Sequence, residues 1–164
     1  ALTGHLVLST IHTNNAVGVI PRLIDMGVDP YLIAPTLILA IAQRLVRTLC
    51  PGTGKQVPIE GSIKQFVDRR FEDLDPGVKE KIMPKDYLYE IDPTPECPNG
   101  TRGRMAVVEM FEMDKDIEGA ILRKANEPEI RALVRKKGML TMQEDAIVKC
   151  AGGLIPFEEV NTLA

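Results

Sequence analysis

Apolar positions change their period several times along this chain, and each change marks an element. His5-Leu6-Val7-Leu8-Ser9-Thr10 is β-rich and nearly continuously apolar in its middle, which predicts a strand buried on both faces of a parallel sheet. Val17, Ile20, Leu23 and Ile24 then keep helical spacing behind a cap at Thr13 or Asn14, and Gly27 supplies the stop. A second helix is predicted from Pro30 to Ala42 and a strand over Arg44 to Cys50, while Pro51 to Glu60 is turn-rich and predicted irregular.

Further on, Ile63, Phe66, Val67, Phe71 and Leu74 lay an amphipathic helical pattern over residues 62–82, with a short second piece after Pro76. Tyr87 to Ile91 reads as a strand, and a loop with Pro93, Pro95 and Pro98 leads to the apolar run Met105–Phe111, the best strand of the second half. Four short helices follow: one opened by Asp114 or Asp116, one by Asn126 with Glu129, one by Thr141 with Glu144, and one beginning at Pro156. Gly138 and Gly152-Gly153 punctuate them.

Charge divides the chain more sharply than hydropathy does. Only five of the charged residues, Arg22, Asp25, Asp29, Arg44 and Arg47, fall in the first 50 positions, and the other 38 follow. The first third therefore reads as an interior layer, covered either by the later helices or by elements upstream of Ala1. The formal charge of −3, seven aromatic residues and no Trp argue against a general nucleic-acid binder, which shows a basic surplus and stacking platforms. The longest apolar run, Leu32–Ala42, is interrupted by Pro35 and Thr36 and is too short for a membrane span. With three cysteines, an odd number, the expectation is reduced thiols in a cytoplasmic protein, and no signal peptide is recognisable at Ala1.

Few local patterns carry chemistry on their own. Pro51-Gly52-Thr53-Gly54-Lys55-Gln56 evokes a phosphate loop, but Leu49 stands where the first Gly is needed and Gln56 where a Ser or Thr should follow the Lys, so it reads as a surface turn. His5 and His12 bracket the first predicted strand, and Ser9-Thr10-Ile11-His12-Thr13-Asn14 is a polar hexad at its C-terminal end, the edge where open α/β sheets place ligands. Cys50 and Cys97 are each followed by Pro, a context suited to metal-binding thiolates. Zinc needs four ligands, however, and Thr53 and Thr94 stand where the second cysteine of each pair would be. Cys150 reads as core.

The order of the longer motifs is more specific. Thr3-Gly4-His5-Leu6-Val7-Leu8-Ser9-Thr10-Ile11-His12-Thr13-Asn14-Asn15-Ala16, then Arg22–Val28 and Ala42–Pro51, closely resemble the type II secretion and type IV pilus assembly ATPases. Gly103-Arg104, Val108-Glu109, Gly138–Met142, Glu144-Asp145 and Glu158-Glu159-Val160 continue the match, which covers nearly everything except about 52–95. The resemblance implies an α/β fold: residues 1–50 as the end of a RecA-like ATPase core, 51–102 as an insertion resembling a cysteine (zinc) module, and 103–164 as a strand plus a mostly helical C-terminal subdomain.

It also implies a homohexameric motor that hydrolyses ATP with Mg²⁺, works with secretion or pilus platform proteins, and sits in the cytoplasm peripheral to the inner membrane. His5 and His12 would belong to a histidine box near the γ-phosphate, and Thr10 and Arg104 would contact the nucleotide pocket. The family's phosphate loop and Walker B carboxylate precede the histidine box and are absent from this sequence, so the segment alone is expected to be inactive. The family's four-cysteine zinc site is reduced here to Cys50 and Cys97, which makes a bound zinc unexpected. Pro21 and Ile155 fall where helix boundaries are expected to shift. The alternative reading is a non-catalytic helical module for oligomerisation or partner docking.

Overall fold

The computed structural model describes residues 4–163 and divides the chain into two interleaved compact units. One holds the described residues through Ala42 together with Glu109–Met139; the other holds Gln43–Val108 and the residues from Leu140 on. The secondary structure is mixed α and β. Two long strands, β1 (Leu39–Leu49) and β4 (Thr101–Glu112), pair with each other. A second two-stranded sheet joins β2 (Lys55–Pro58) to β3 (Tyr87–Glu90).

In the first unit, helices α1 (Val19–Asp25), α2 (Pro30–Thr36), α5 (Lys115–Leu122) and α6 (Glu127–Lys136) enclose a core of Val17, Ile20, Ile33, Ala34, Phe111, Ile117, Ile121, Ile130 and Val134. Side-chain caps explain where three of them start. Asp29 accepts from the Tyr31 N–H, Asp114 from those of Asp116 and Ile117, and Asn126 from that of Glu129. Pro21 lies in the first turn of α1, where a missing N–H costs no helical hydrogen bond.

In the second unit, α3 (Gly61–Arg70), α4 (Pro76–Ile82), α7 (Met142–Ala151) and α8 (Phe157–Asn161) surround Val46, Val67, Phe71, Leu88, Val107, Ile147, Ile155 and Val160. The reciprocal capping box of Thr141 and Glu144 starts α7 as the sequence predicts. From that helix Asp145 accepts the Val108 N–H at 2.7 Å, and Lys149 donates to the Ala106 carbonyl at 2.8 Å, so two side chains satisfy backbone groups of β4. Glu159 in α8 receives both the backbone N–H (2.9 Å) and Nε (2.7 Å) of Arg47. Helix α8 begins one residue later than the sequence predicts, with Pro156 as its N-cap and no side-chain cap.

Four expectations are corrected. The strand predicted over His5–Thr10 has no regular structure, and Leu6, Val7 and Leu8 are exposed: within the described residues nothing pairs with this segment to satisfy its backbone or bury its side chains. The second helix stops at Thr36 rather than Ala42, because Leu39–Ala42 alternate in and out and join β1, with Ala40 buried and Leu39 and Ile41 exposed. Residues 55–58, predicted irregular, form β2 in antiparallel register with β3, Lys55 opposite Glu90 and Val57 opposite Leu88. Asn15 rather than Thr13 or Asn14 supports the start of α1, its Oδ1 accepting the Gly18 N–H at 2.7 Å.

The later helices do cover much of the first third, since α5 and α6 share one core with α1 and α2. They do not cover all of it: Leu6, Val7, Leu8, Ile38, Leu39 and Ile41 remain exposed.

Candidate functional site

His5, Thr10 and His12 lie on one segment of the first unit without regular structure, and all three are exposed. Arg104 is an exposed residue of β4 in the second unit. The segment carrying the two histidines is free of regular structure up to Asn14, and its C-terminal end is tightly fixed just beyond His12. Thr13 Oγ1 donates to the Asn15 carbonyl at 2.9 Å, Asn15 Nδ2 to Glu127 Oε1 at 3.2 Å, and the Ala16 N–H to Glu109 Oε1 at 2.9 Å.

Glu109, part of the Val108-Glu109 motif, is a functional-looking residue to which the sequence reading gives no role. It is 3% exposed, on the inward face of β4 between Val107 and Phe111, where the alternation calls for an apolar side chain. A buried carboxylate is retained only where something pays its desolvation, and here the Ala16 N–H is a charge-assisted partner. The signal was present in the sequence: a lone acid at an inward position of the most apolar strand of the second half.

The Gly-Lys turn does not form an anion cradle. Gly52 and Gly54 both adopt positive φ, and Lys55 leads into strand β2, not into the first turn of a helix. A cavity of about 360 Å³ in the first unit is lined by Phe111, Met113, Ile117, Val134, Lys137 and Met139 among others. Lys137 pairs with Asp114 and, at 2.9 Å, with Asp116, so this cation is already engaged by two carboxylates.

The three cysteines divide differently from expectation. Cys50 and Cys97 form a disulfide, which corrects the reading of three reduced thiols; the partners are 47 residues apart in sequence but sit on turns whose Cα atoms come within 6.7 Å. Cys150 remains a thiol, buried, donating to the Tyr89 carbonyl at 3.3 Å. Burial pushes its pKa from the ordinary 9.0 to about 12, with the carboxylates of Glu158 and Glu90 adding to the rise. Among the described residues no group of three or more His, Cys, Asp or Glu side chains is placed to hold a metal ion, and no helix is long and apolar enough to cross a membrane.

Residues 1–162 match the family described as "Type II/IV secretion system protein". The chain is similar to type II secretion system protein E of Xanthomonas campestris pv. campestris, 42% identical over 160 residues, which are 98% of this chain and 27% of that protein. It is 36% identical to the type IV pilus assembly ATPase PilB of Thermus thermophilus over 98% of this chain and 17% of that protein. With type II secretion system ATPase E of Vibrio cholerae the identity is 35%, again over 98% of this chain and 30% of the relative. The chain thus spans less than a third of the length of these relatives. On the family match over residues 1–162, the chain belongs to the type II/IV secretion system protein family.

Proposed function

We propose that this chain is part of a hexameric motor that uses ATP hydrolysis to drive type II secretion or type IV pilus assembly. The observation that carries the reading is the family match over residues 1–162 together with relatives named as ATPases that align over 98% of the chain. In this reading residues 1–50 end a RecA-like core, 51–102 form the cysteine module and 103–164 the C-terminal subdomain. The motor works in the cytoplasm against platform proteins of the inner membrane.

Among the described residues neither Lys55 nor Lys137 belongs to a phosphate cradle. The Gly54-Lys55 turn opens a strand, and Lys137 is held by two aspartates. When bound, Mg-ATP supplies the phosphoryl group whose transfer to water releases the driving free energy. The contribution of this chain is two exposed imidazoles, His5 and His12, with Thr10 between them and Arg104 as a further contact. An imidazole at such a position exchanges a proton near neutral pH or orients a neighbouring group. Glu109 and Asn15 hold the connection between the histidine segment and α1 next to His12, so that ring is carried on an anchored backbone.

The exposed apolar residues Leu6, Val7 and Leu8 support the same reading, since an exposed apolar run at a position where sequence calls for an interior strand is a surface prepared for burial. In the motor it packs against the rest of the RecA-like core. The test is a comparison of Mg-ATP titrations. This chain alone should show no micromolar binding, and a motor of the relatives' full length that contains it should bind and hydrolyse ATP. A micromolar site on the chain alone, or an inert full-length protein, overturns the assignment.

A further inference from the structure

The two cysteine turns are built alike. In Cys50-Pro51-Gly52-Thr53 the Cys50 carbonyl accepts from both the N–H (3.0 Å) and the hydroxyl (2.8 Å) of Thr53. In Thr94-Pro95-Glu96-Cys97 the Cys97 N–H donates to the carbonyl (3.0 Å) and hydroxyl (3.1 Å) of Thr94, and the Thr94 N–H donates back to the Cys97 carbonyl at 3.1 Å. Each turn places one Cys and one Thr at the two-residue spacing at which paired thiolates grip zinc. The turns are also brought together. The Cys50 N–H donates to the Gly100 carbonyl (3.2 Å) and the Gly100 N–H to the Cys97 carbonyl (2.9 Å). Gly100 holds a φ of +64°, and a Cβ there would lie 2.4 Å from Ile91 Cγ2, so this close approach requires glycine.

The donor set does not fit the zinc that the family resemblance implies. Tetrahedral zinc takes sulfur and nitrogen donors, whereas Thr53 and Thr94 offer neutral hydroxyls already used in closing their own turns. Two sulfurs remain, and they are bonded to each other. We propose that the Cys50–Cys97 bond has taken over the role of a metal in this module, so that the module is clasped by redox state and not by zinc, with Thr53 and Thr94 as the residues that decide between the two.

The clasp closes by thiol–disulfide exchange with a low-molecular-weight disulfide. Cys97 is the partly exposed partner and Cys50 the buried one, so the Cys97 thiolate attacks first, forming a mixed disulfide and releasing one small thiol. Cys50 then attacks the Cys97 sulfur and releases the second. Two protein thiols become one disulfide, one small disulfide becomes two thiols, and the two protons leave with them. The bond fastens a segment containing β2, α3, α4 and β3, and closing a loop of this length removes much of the freedom of the unfolded chain. This inference does not depend on the motor activity.

The test counts thiols and zinc. Protein equilibrated in a glutathione buffer, then unfolded and alkylated without reductant, should carry one labelled cysteine, Cys150, and three labels after reduction with a phosphine. Reduction should lower the melting temperature by ~10 °C or more. The wild type should hold well under one equivalent of zinc in either state, while the reduced Thr53→Cys/Thr94→Cys variant should take up one zinc per chain. Three labels without reductant, a full equivalent of zinc on the wild type, or a folded double variant that binds no zinc would each overturn the proposal. Should the double variant fail to fold, the label count and zinc content of the wild type decide alone.

Discussion

Replacing Glu109 tests whether a buried carboxylate fixes the connection between the histidine segment and α1. Both partners of its hydrogen bond are withdrawn from water, Glu109 at 3% and Ala16 at 2% exposure, with 2.9 Å between Oε1 and the Ala16 nitrogen. A hydrogen bond to a charged group of this kind contributes ~1.5–3 kcal/mol, and leaving the Ala16 N–H unpartnered costs a similar amount. In Glu109→Leu the volume between Val107 and Phe111 is kept and only the acceptor is lost, so the destabilisation should be ~2–3 kcal/mol. Glu109→Ala adds the loss of about two buried methylenes, near 0.8 kcal/mol each, for ~4 kcal/mol in total. In Glu109→Gln the amide oxygen still accepts from Ala16, and the cost falls to ~1 kcal/mol.

At ~2–4 °C per kcal/mol for a chain of this size, melting temperatures should fall in the order Gln, Leu, Ala, by ~3, ~8 and ~12 °C. Hydrogen exchange at the Ala16 amide gives an independent readout: protected in the wild type and in Glu109→Gln, faster in Glu109→Leu. A Glu109→Leu protein as stable as wild type, with an unchanged Ala16 amide, would refute the assignment of this carboxylate as an anchor.

Two further outcomes follow from the second unit. Thr141→Ala removes the hydroxyl that accepts the Glu144 N–H and should cost ~1 kcal/mol of stability in chemical denaturation, while Thr141→Ser should restore most of it. The buried Cys150 thiol stays protonated in the folded protein to about pH 12 but ionises in the unfolded chain near 9. Its contribution is therefore fully present below pH 9 and is lost as pH rises from 9 towards 12, at ~1.4 kcal/mol per pH unit. Denaturation midpoints of the wild type should drop through that window more steeply than those of Cys150→Ala, and parallel profiles would show that this thiol does not titrate on unfolding.

What the sequence disclosed depended on how local each cause is. The α7 capping box, the Asp114 and Asn126 caps and the amphipathic stretch before Phe71 need only neighbours within a few residues, and their elements appear where the pattern puts them. The end of α2 was harder to read, because Ile38–Ala42 is apolar enough for either a buried helix or a strand; its pairing with β4, far along the chain, decides. Lys55–Pro58 lacks any β signal of its own and becomes a strand through its register with Tyr87–Glu90. The Cys50–Cys97 pairing was likewise hidden, since spacing gives each turn but not their meeting across 47 residues. Leu6-Val7-Leu8 shows the opposite case: the local pattern is strand-like, but a strand exists only where a neighbouring backbone is present to pair with it.

The most direct measurement of the motor assignment is ATP turnover and melting temperature of His12→Ala in a protein of the relatives' full length that contains this chain. His12 is exposed, so its removal should leave stability within ~0.5 kcal/mol of wild type. Turnover should fall ~10²-fold or more if the ring moves a proton or positions a group that does. Turnover unchanged in a stably folded protein, or lost only in proportion to a large drop in melting temperature, would contradict the functional role proposed for His12.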